Sequence, residues 1–361
     1  MPAPGSNGET VVSVAVDTNG ADLGPEEVAA GAAIAARQGV RALLFGPAAR
    51  LGRIDTVGGL VEVIDAPVSI AKVPDPVAAA RSTRDASIVL AARAVAEGRA
   101  DALVSGGSTG AALAAGLLNV KRAQGIYRPA LALPLPVPGR QPVTLLDVGA
   151  NTEVRPEHLV QFAFMGAALA SAVLGIRRPR VALLSNGEEG TKGTPLVQEA
   201  HALLLQRAAA SPLVDFVGNI EGTTVLSGDA DVIVADGFTG NVTLKLIEGV
   251  SQATLQAVRA AATASSRARL GGLLLRPALR GLRDDIDPET PGGAYLLGLR
   301  KLGVVPHGRF TRVGFSQAIL LAARGVTNDV VGRTHAALEE AGALKRSPLA
   351  SDPAATVPGT S

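Results

Sequence analysis

Short aliphatic runs alternate with helix-patterned segments along most of the chain, and this alternation constrains the fold more than any other feature. The runs have the β-branched and apolar content of strands, whereas apolar residues in the intervening segments recur with the helical period. Strand, helix and strand in succession form a βαβ unit, whose parallel strands are covered by helices. The pattern therefore predicts an α/β fold with a largely parallel sheet.

The predicted elements follow this alternation from residue 11 to residue 323. Strands are predicted at 11–17, 41–46, 60–65, 101–105, 143–149, 180–186, 231–236 and 303–307. Helices are predicted at 25–38, 86–96, 110–121, 156–174, 195–205, 241–261 and 312–323. Because hydrophobic residues make up 47% of the chain and aromatics only 2%, the core must be built from Ala, Val, Leu and Ile. These residue types suit strands buried on both faces.

Charge and cysteine content exclude several classes of function. The chain carries 34 basic and 32 acidic residues, a net charge of +2, so nucleic acid is not an expected partner. It has no cysteine, which excludes disulfides, thiolate metal sites and a thiol nucleophile. No metal and no other cofactor is predicted, because the four histidines lack the spacing of zinc ligands. They are His158, His201, His307 and His335.

We expect one domain over 11–344 between two disordered tails. Residues 1–10 are rich in Gly, Pro and Ser and lack the basic and apolar regions of a signal peptide. Residues 345–361 lack any apolar periodicity. No apolar run approaches the roughly 20 residues that a membrane-spanning helix needs, so a soluble protein is expected.

Polar, glycine-rich loops follow five of the predicted strands. Ligands of open α/β sheets bind beyond the carboxyl ends of the strands. We therefore expect the five loops to line one shared cleft. The loops are 17–20, 105–110, 147–151, 185–189 and 236–241.

The loop 105–110 joins a strand to a helix and has the form of a phosphate cradle. Its glycines let consecutive backbone N–H groups converge at the helix N-terminus, where the helix dipole favours an anion. An ordinary tight turn, with Ser108 or Thr109 capping the helix, explains the same residues. The loop 236–241 is open to the same two interpretations. Neither loop matches a dinucleotide or Walker-type motif.

The loop 187–193 contains Lys192, the leading catalytic candidate. The same loop contains two carboxylates, Glu188 and Glu189, and pairing or burial can direct the charge of the lysine toward an anionic substrate. The alternative is a lysine that is only solvated. His307 lies between Pro306 and Gly308 at a strand end, and it either reaches the cleft or is a hydrogen-bonded structural histidine.

The segment 267–283 is basic and amphipathic. One helical face carries leucines and another carries arginines, but two glycines and a proline are expected to interrupt a straight helix. A membrane contact, a dimer contact and core packing all remain open. The residues concerned are Leu275, Leu279, Leu282, Arg276, Arg280, Arg283, Gly271, Gly272 and Pro277.

Nine stretches occur in an order typical of one enzyme family. They are 16–25 (VDTNGADLGP), 105–110 (SGGSTG), 128–136 (RPALALPLP), 146–151 (LDVGAN), 156–163 (PEHLVQFA), 187–193 (GEEGTKG), 218–222 (GNIEG), 236–241 (DGFTGN) followed by Lys245, and 292–298 (GGAYLLG). This ordered set resembles the PlsX family, whose members transfer a fatty acyl group from acyl carrier protein to inorganic phosphate. The likeness extends from about residue 11 to residue 325.

The resemblance implies a three-layer α/β/α fold like those of isopropylmalate dehydrogenase and phosphotransacetylase, and a cytoplasmic homodimer. It implies an acyl phosphate product that feeds a glycerol-3-phosphate acyltransferase in phospholipid synthesis. It also implies peripheral membrane association through Leu273, Leu274, Leu275, Leu279 and Leu282. The family's DAMGGD is DTNGAD at 17–22 here, and its GNTG is GSTG at 107–110, so Ser108 replaces an asparagine. Substrate contacts of these two loops are therefore expected to differ.

In the implied reaction, phosphate attacks a thioester carbonyl directly, so neither a covalent enzyme intermediate nor a cofactor is required. We assign phosphate to the backbone amides of the loops that contain Ser105 and Gly237, with Lys192 and Asn241 as catalytic donors. The further substrate-binding candidates are Asp17, Gly20, Gly107, Ser108, Thr109, Gly110, Asn151, Asn186, Gly187, Glu188, Asp236, Gly240 and His307.

Three other functions fit parts of the sequence. A phosphotransacylase that uses short acyl-coenzyme A would share the cleft without a carrier-protein surface. An oxidative decarboxylase of the isopropylmalate type would need nicotinamide and a divalent metal held by Asp147, Asp231 and Asp236. A catalytically inactive membrane scaffold for lipid-synthesis enzymes is suggested by the altered loops at Asn19 and Ser108.

Overall fold

A computed structural model describes residues 11–51 and 54–345 of the 361-residue chain, without the side chain of Asp284. The expected tails, 1–10 and 345–361, lie outside the described residues except for Lys345.

Eleven strands form one sheet in the order β3-β2-β1-β4-β11-β10-β5-β6-β9-β7-β8. The strands are β1 Ser13–Asp17, β2 Arg41–Gly46, β3 Val61–Asp65, β4 Ala102–Ser105, β5 Ala130–Leu135, β6 Val143–Leu146, β7 Arg180–Ser185, β8 Asp215–Glu221, β9 Val232–Val234, β10 Ala294–Leu297 and β11 Leu302–Val305. All eight predicted strands are present. The pattern did not predict three strands: β5 contains a proline, β8 has a largely polar sequence, and β10 is only four residues long.

Helices cover both faces of the sheet. They are α1 Pro25–Ala36, α2 Ala48–Leu51, α3 Pro76–Ser82, α4 Ser87–Ala96, α5 Thr109–Ala115, α6 Pro156–Leu174, α7 Pro195–Ala209, α8 Gly237–Thr263, α9 Ser266–Asp285, α10 Arg312–Thr327 and α11 Val330–Glu340. Apolar residues of α1, α6, α7, α10 and α11 form a core on one face, and those of α4, α5 and the first turns of α8 form the core on the other. The predicted three-layer α/β/α fold is confirmed.

The direction of the strands reverses within the sheet. Neighbours β1, β4 and β11 are parallel, but β10 runs antiparallel to both β11 and β5, and β5 runs antiparallel to β6. Three successive reversals leave β6, β9 and β7 antiparallel to β1, β4 and β11. The loops after β1, β4 and β11 therefore lie at one edge, the first edge, and those after β6, β7 and β9 at the opposite, second edge. The prediction of a single edge shared by all five loops is wrong.

Helix α6 is the one described helix that is long and apolar enough to cross a membrane. The expectation that no segment reaches this length was therefore wrong. Yet 72% of the relevant window is buried inside the molecule, and Phe162, Phe164 and Met165 are fully buried. A helix that lies between the sheet and other helices is apolar on most of its circumference.

Helices α8 and α9 pack against each other and carry many exposed apolar side chains. The expectation that α9 is interrupted is wrong, because the helix continues through Gly271, Gly272 and Pro277. Leu273, Leu274, Leu275 and Leu282 are exposed, whereas Leu279 is half-buried.

Candidate functional site

The carboxylate of Asp17 organises the first edge. Asp17 ends β1 and is almost completely buried. Its oxygens accept hydrogen bonds from the hydroxyls of Ser87 at 2.6 Å and Ser105 at 2.8 Å, and from the backbone N–H of Asn19 at 3.2 Å. The amide nitrogen of Asn19 in turn donates to Ser87 and to the carbonyl of Ala66. One buried acceptor thus fixes the ends of β1 and β4 and the start of α4.

Burial raises the pKa of the Asp17 carboxyl from 3.8 to about 6. The hydrogen bonds from Ser87, Ser105 and Asn19 stabilise the ionised form and oppose this rise, but the loss of water around the charge outweighs them. The Ser105 hydroxyl donates to Asp17 and also lies 3.4 Å from the N–H of Gly107, so it shapes the loop from below.

The loop 105–110 presents backbone N–H groups at the start of α5, which continues through a π-helical turn to Val120. Within the described part of the chain, the N–H groups of Ser108, Thr109 and Gly110 have no hydrogen-bond acceptor. The Ser108 hydroxyl caps the helix by accepting from the N–H of Ala111 at 3.4 Å. Three open donors at a helix N-terminus favour an anion.

Glycines let the neighbouring loops approach this helix end. A Cβ on Gly20, whose φ is +90°, would lie only 2.8 Å from the Cα of Gly107. A Cβ on Gly308 would lie 3.2 Å from the carbonyl oxygen of Gly106. The loops after β1, β4 and β11 are therefore in direct contact.

Two cations, Lys245 and Arg309, lie near His307, whose neighbour Gly308 approaches the carbonyl of Gly106. Burial and then the charge of Arg309 lower the pKa of His307, which also interacts electrostatically with Lys245 of α8 and with Asp22. Arg309 forms an ion pair with Glu248 at 3.4 Å. Lys245 and Arg309 were not among the predicted site residues, because the sequence does not reveal that α8 reaches the first edge.

At the second edge, Asp147 holds the loop that follows β6. One carboxylate oxygen accepts from the N–H groups of Leu131, Gly149 and Ala150, and the other accepts from the backbone and side-chain nitrogens of Asn151. Burial raises the pKa of Asp147, although these bonds oppose the rise. Asn151 also donates to the carbonyl of Pro129 at 2.7 Å. The side-chain amide of Asn151 therefore binds two groups of the protein itself, the Pro129 carbonyl and the Asp147 carboxylate.

The N-terminus of α8 has no equivalent open donors. Asp236 accepts from the N–H groups of Phe238 and Thr239 at 2.9 Å and from the Thr239 hydroxyl at 2.7 Å. The N–H of Gly237 donates to the carbonyl of Asn151. The carboxylate occupies the position that an anion would need, and its charge repels one. This geometry disfavours the expected phosphate cradle at 236–241.

Close packing explains the two glycines of this turn. A Cβ on Gly237 would lie 2.6 Å from the carbonyl oxygen of Asn151, and one on Gly240 would overlap the carbonyl oxygen of Asp147. Asn241, one residue later, donates its side-chain N–H to the carbonyl of Val148 at 2.9 Å.

The loop 187–193 also lies at the second edge, beyond β7. Asn186 accepts from the N–H of Gly193 at 2.8 Å and closes the loop. The alkyl chain of Lys192 lies over Gly187, while Glu188 is exposed. Lys192 is exposed too, and its ammonium has no acceptor among the residues that the structure describes.

The predicted site residues thus form two groups. Those of the first edge are Asp17, Gly20, Ser105, Gly107, Ser108, Thr109, Gly110 and His307. Those of the second edge are Asn151, Asn186, Gly187, Glu188, Lys192, Asp236, Gly237, Gly240 and Asn241. Sequence reasoning missed Ser87, which is fixed to Asp17 only by the three-dimensional fold.

The acidic side chains do not form a metal site in the described ranges 11–51 and 54–345. Asp231 precedes β9 and forms an ion pair with Arg180 at 2.8 Å, whereas Asp236 follows β9. The two carboxylates are therefore at opposite ends of one strand. This arrangement contradicts the metal cluster that the oxidative decarboxylase alternative requires.

The raised pKa of Asp17 predicts a specific pH dependence of stability. A carboxyl that keeps its proton longer in the folded state stabilises that state below about pH 4 and loses this contribution as pH rises past about 6. The free energy of unfolding of the wild type, minus that of Asp17→Asn, should fall by about 2 kcal/mol from pH 4 to pH 7. Urea unfolding at several pH values measures this difference. A difference that stays constant with pH would contradict the assignment.

Comparisons with known proteins agree on one family. The model of the fatty acid synthesis protein family matches residues 12–333. The chain is 40% identical over 325 residues to the phosphate acyltransferase of Lactococcus lactis subsp. cremoris (strain SK11), covering 89% of this chain and 97% of the relative. It is 42% identical over 323 residues to the phosphate acyltransferase of Lacticaseibacillus casei (strain BL23), covering 89% and 94%.

The fold is also found in a solved structure. EutD phosphotransacetylase from Staphylococcus aureus superposes with a TM-score of 0.58 at 20% identity, over 88% of this chain and 94% of that chain. This likeness supports the architecture alone. The family match and the identity to curated relatives confirm the resemblance seen in the motifs, and the chain belongs to the PlsX family of phosphate acyltransferases.

Proposed function

We propose that this acyltransferase transfers a long-chain fatty acyl group from acyl carrier protein to inorganic phosphate. The observation that carries the proposal is the open N-terminus of α5, where three backbone N–H groups face no acceptor among the described residues. His307 adjoins the loop before this helix, because Gly308 approaches the carbonyl of Gly106, and Lys245 lies near His307. A small dianion is the ligand that such donors and charges favour.

The reaction needs only positioning and charge stabilisation. A phosphate oxygen forms a bond to the thioester carbonyl carbon, the carbon–sulfur bond breaks, and the proton of hydrogen phosphate ends on the released thiol. Lys192 and Asn241 are the proposed donors to the oxyanion. No cofactor takes part. The acyl phosphate would then serve a glycerol-3-phosphate acyltransferase in phospholipid synthesis.

Reacting groups must approach to about 3 Å, which places a demand on quaternary structure. In one protomer, the α5 N-terminus lies at the first edge and Lys192 at the second. We propose a homodimer in which the second edge of one copy meets the first edge of the other. The exposed apolar ridge of α8, which begins at the second edge, supplies a surface for this contact. Its residues are Phe238, Val242, Leu246 and Val250.

A cytoplasmic location with peripheral membrane contact completes the proposal. The exposed leucines of α9 would enter the interfacial region of the bilayer while Arg276 and Arg280 meet anionic headgroups.

Incubation with palmitoyl acyl carrier protein and phosphate, followed by trapping with hydroxylamine, should yield palmitoyl hydroxamate only when phosphate is present.

Lys192→Ala should lower turnover by roughly 100-fold, because one oxyanion donor is lost. Arg177→Ala, which removes an exposed cation elsewhere, is the matched control. Equal turnover by Lys192→Ala and wild type, at equal Tm, would reject the role of Lys192. A strong preference for short acyl-coenzyme A would favour a phosphotransacylase, and carrier binding without phosphate consumption would favour a scaffold.

Mixed dimers test the shared site. Ser108→Asp places a carboxylate against the open N–H groups, as Asp236 does at α8, and should abolish phosphate binding. Coexpression of Ser108→Asp with Lys192→Ala gives heterodimers in which one of the two sites is intact, so about a quarter of wild-type activity should return. Activity no higher than the sum of the two separate variants would exclude a site shared between copies.

Sedimentation with anionic phospholipid vesicles tests the membrane contact. Leu274→Glu combined with Leu275→Glu should reduce the bound fraction about tenfold or more, because two apolar side chains are replaced by charges. Leu205→Glu, at an exposed position on α7, is the control. Wild-type binding by the double variant would remove α9 from the proposal.

A further inference from the structure

A groove at the second edge lies outside the loops described above. It has a volume of about 720 Å³ and runs between the end of the π-helical turn after α5 and the end of α11. Its apolar floor is formed by Leu117, Ile126 and Leu344. The groove is therefore a preformed depression with an apolar centre.

Basic residues surround this floor. Lys121, Arg122 and Lys345 line the groove, and Glu339 is the one lining carboxylate among the described residues. Arg300 borders the same rim, since its N–H donates to the carbonyl of Lys121 and its guanidinium to the carbonyl of Arg122. In a chain of net charge +2, this is a local concentration of positive charge.

The walls are fixed by buried hydrogen bonds. Gln161 of α6 is fully buried, accepts from the N–H of Tyr127 at 2.8 Å, and donates to the carbonyls of Gly125 and Ala343 at 2.9 and 2.8 Å. The N–H of Lys345 donates to the carbonyl of Gly125 at 2.8 Å. One side chain thus joins the two segments that form opposite walls.

The backbone of Lys121 adopts a conformation that normally requires glycine. Its φ is 71° and its ψ is 159°, a region in which a side chain is strained. Two backbone hydrogen bonds hold Lys121 in this conformation. Its N–H donates to the carbonyl of Gly116, and its carbonyl accepts from the N–H of Arg300. The ammonium groups of Lys121 and Lys345 have no acceptor within the described part of the chain. A strained lysine at the rim indicates a role for its side chain.

The groove lies at the same edge of the sheet as the proposed oxyanion donors. The segment from Gly125 leads to Pro129, whose carbonyl binds Asn151. Pro129 lies four positions after Gly125, a span of at most about 13 Å. Lys192 and Asn241 are at the same edge of the sheet. A partner seated in the groove would hold a flexible acyl-bearing arm on the side of the molecule where these donors lie.

We propose that this groove is the docking surface for the acyl carrier protein, recognised as an acidic, helical partner whose apolar residues enter the floor while its carboxylates meet Lys121, Arg122, Arg300 and Lys345. This assignment rests on the proposed function. Charge complementarity of this kind accelerates association and confers salt dependence. The groove, and not the phosphate loop, then sets the preference for a carrier-bound donor.

Fluorescence anisotropy with labelled acyl carrier protein tests the assignment at low and high salt. Lys121→Glu combined with Lys345→Glu should weaken binding about tenfold at low salt and remove most of the salt dependence. Lys121→Arg combined with Lys345→Arg keeps both charges and should bind as the wild type does. Arg37→Glu combined with Arg50→Glu makes the same change of charge at distant, exposed ion pairs and is the control.

A second variant separates binding from folding. Lys121→Gly relieves the strained backbone and should raise Tm, yet it should weaken carrier binding because one cation is lost. A structural role for Lys121 would instead lower Tm. Unchanged carrier affinity in both the charge-reversed and the glycine variants, in a protein that still forms acyl phosphate, would overturn the groove assignment alone. Absence of acyl phosphate from the wild type would overturn the proposed function and the groove with it.

Other occupants of the groove give different results. If residues 346–361 fill it and the carrier binds elsewhere, a chain ending at Lys345 should bind the carrier as the full chain does, and charge reversal in either chain should leave that affinity unchanged. If a second copy of this chain fills it, Lys121→Glu combined with Lys345→Glu should change the sedimentation coefficient. Either result would overturn the assignment to the carrier.

Discussion

The change of strand direction between β11 and β6, made through three antiparallel pairings, decides at which edge of the sheet each glycine-rich loop lies. In a fully parallel sheet, every strand would deliver its following loop to one edge, and one protomer would suffice for a site built from all of them. Here the reversal divides the glycine-rich loops into two groups. The open helix end of α5 lies at the first edge and Lys192 at the second, which is the physical reason for proposing a site shared by two copies.

Two helices begin at these edges with similar sequences and opposite chemistry. The loops SGGSTG and DGFTGN both precede helices and both contain closely packed glycines. At α8, the carboxylate of Asp236 satisfies the first turn and makes the site repel anions. At α5, the carboxylate of Asp17 is bound by the hydroxyls of Ser87 and Ser105, and the N–H groups of Ser108, Thr109 and Gly110 stay open within the described part of the chain. The capping carboxylate at α8 and its absence from the α5 turn are the reason for proposing the anion site at α5.

The sequence predicted the fold class and eight strands because their aliphatic periodicity is local information. It did not reveal β5, β8 or β10, whose short or polar sequences become strands only when neighbours pair with them. The missed strands β10 and β5 cause the reversal, so the predicted shared edge failed for the same reason. For the site, residue types and loops were predictable, since glycine and polar residues after strands have a recognisable pattern. The involvement of Ser87, Lys245 and Arg309 depends on contacts between distant segments, as does the strained backbone of Lys121.

Everything proposed for the reaction depends on phosphate binding at the N-terminus of α5, which a crystal structure of the protein with orthophosphate can test. We expect phosphate oxygens within hydrogen-bond distance of the backbone N–H groups of Ser108, Thr109 and Gly110. Phosphate bound at the N-terminus of α8, or an α5 N-terminus that stays empty at saturating phosphate, would contradict it.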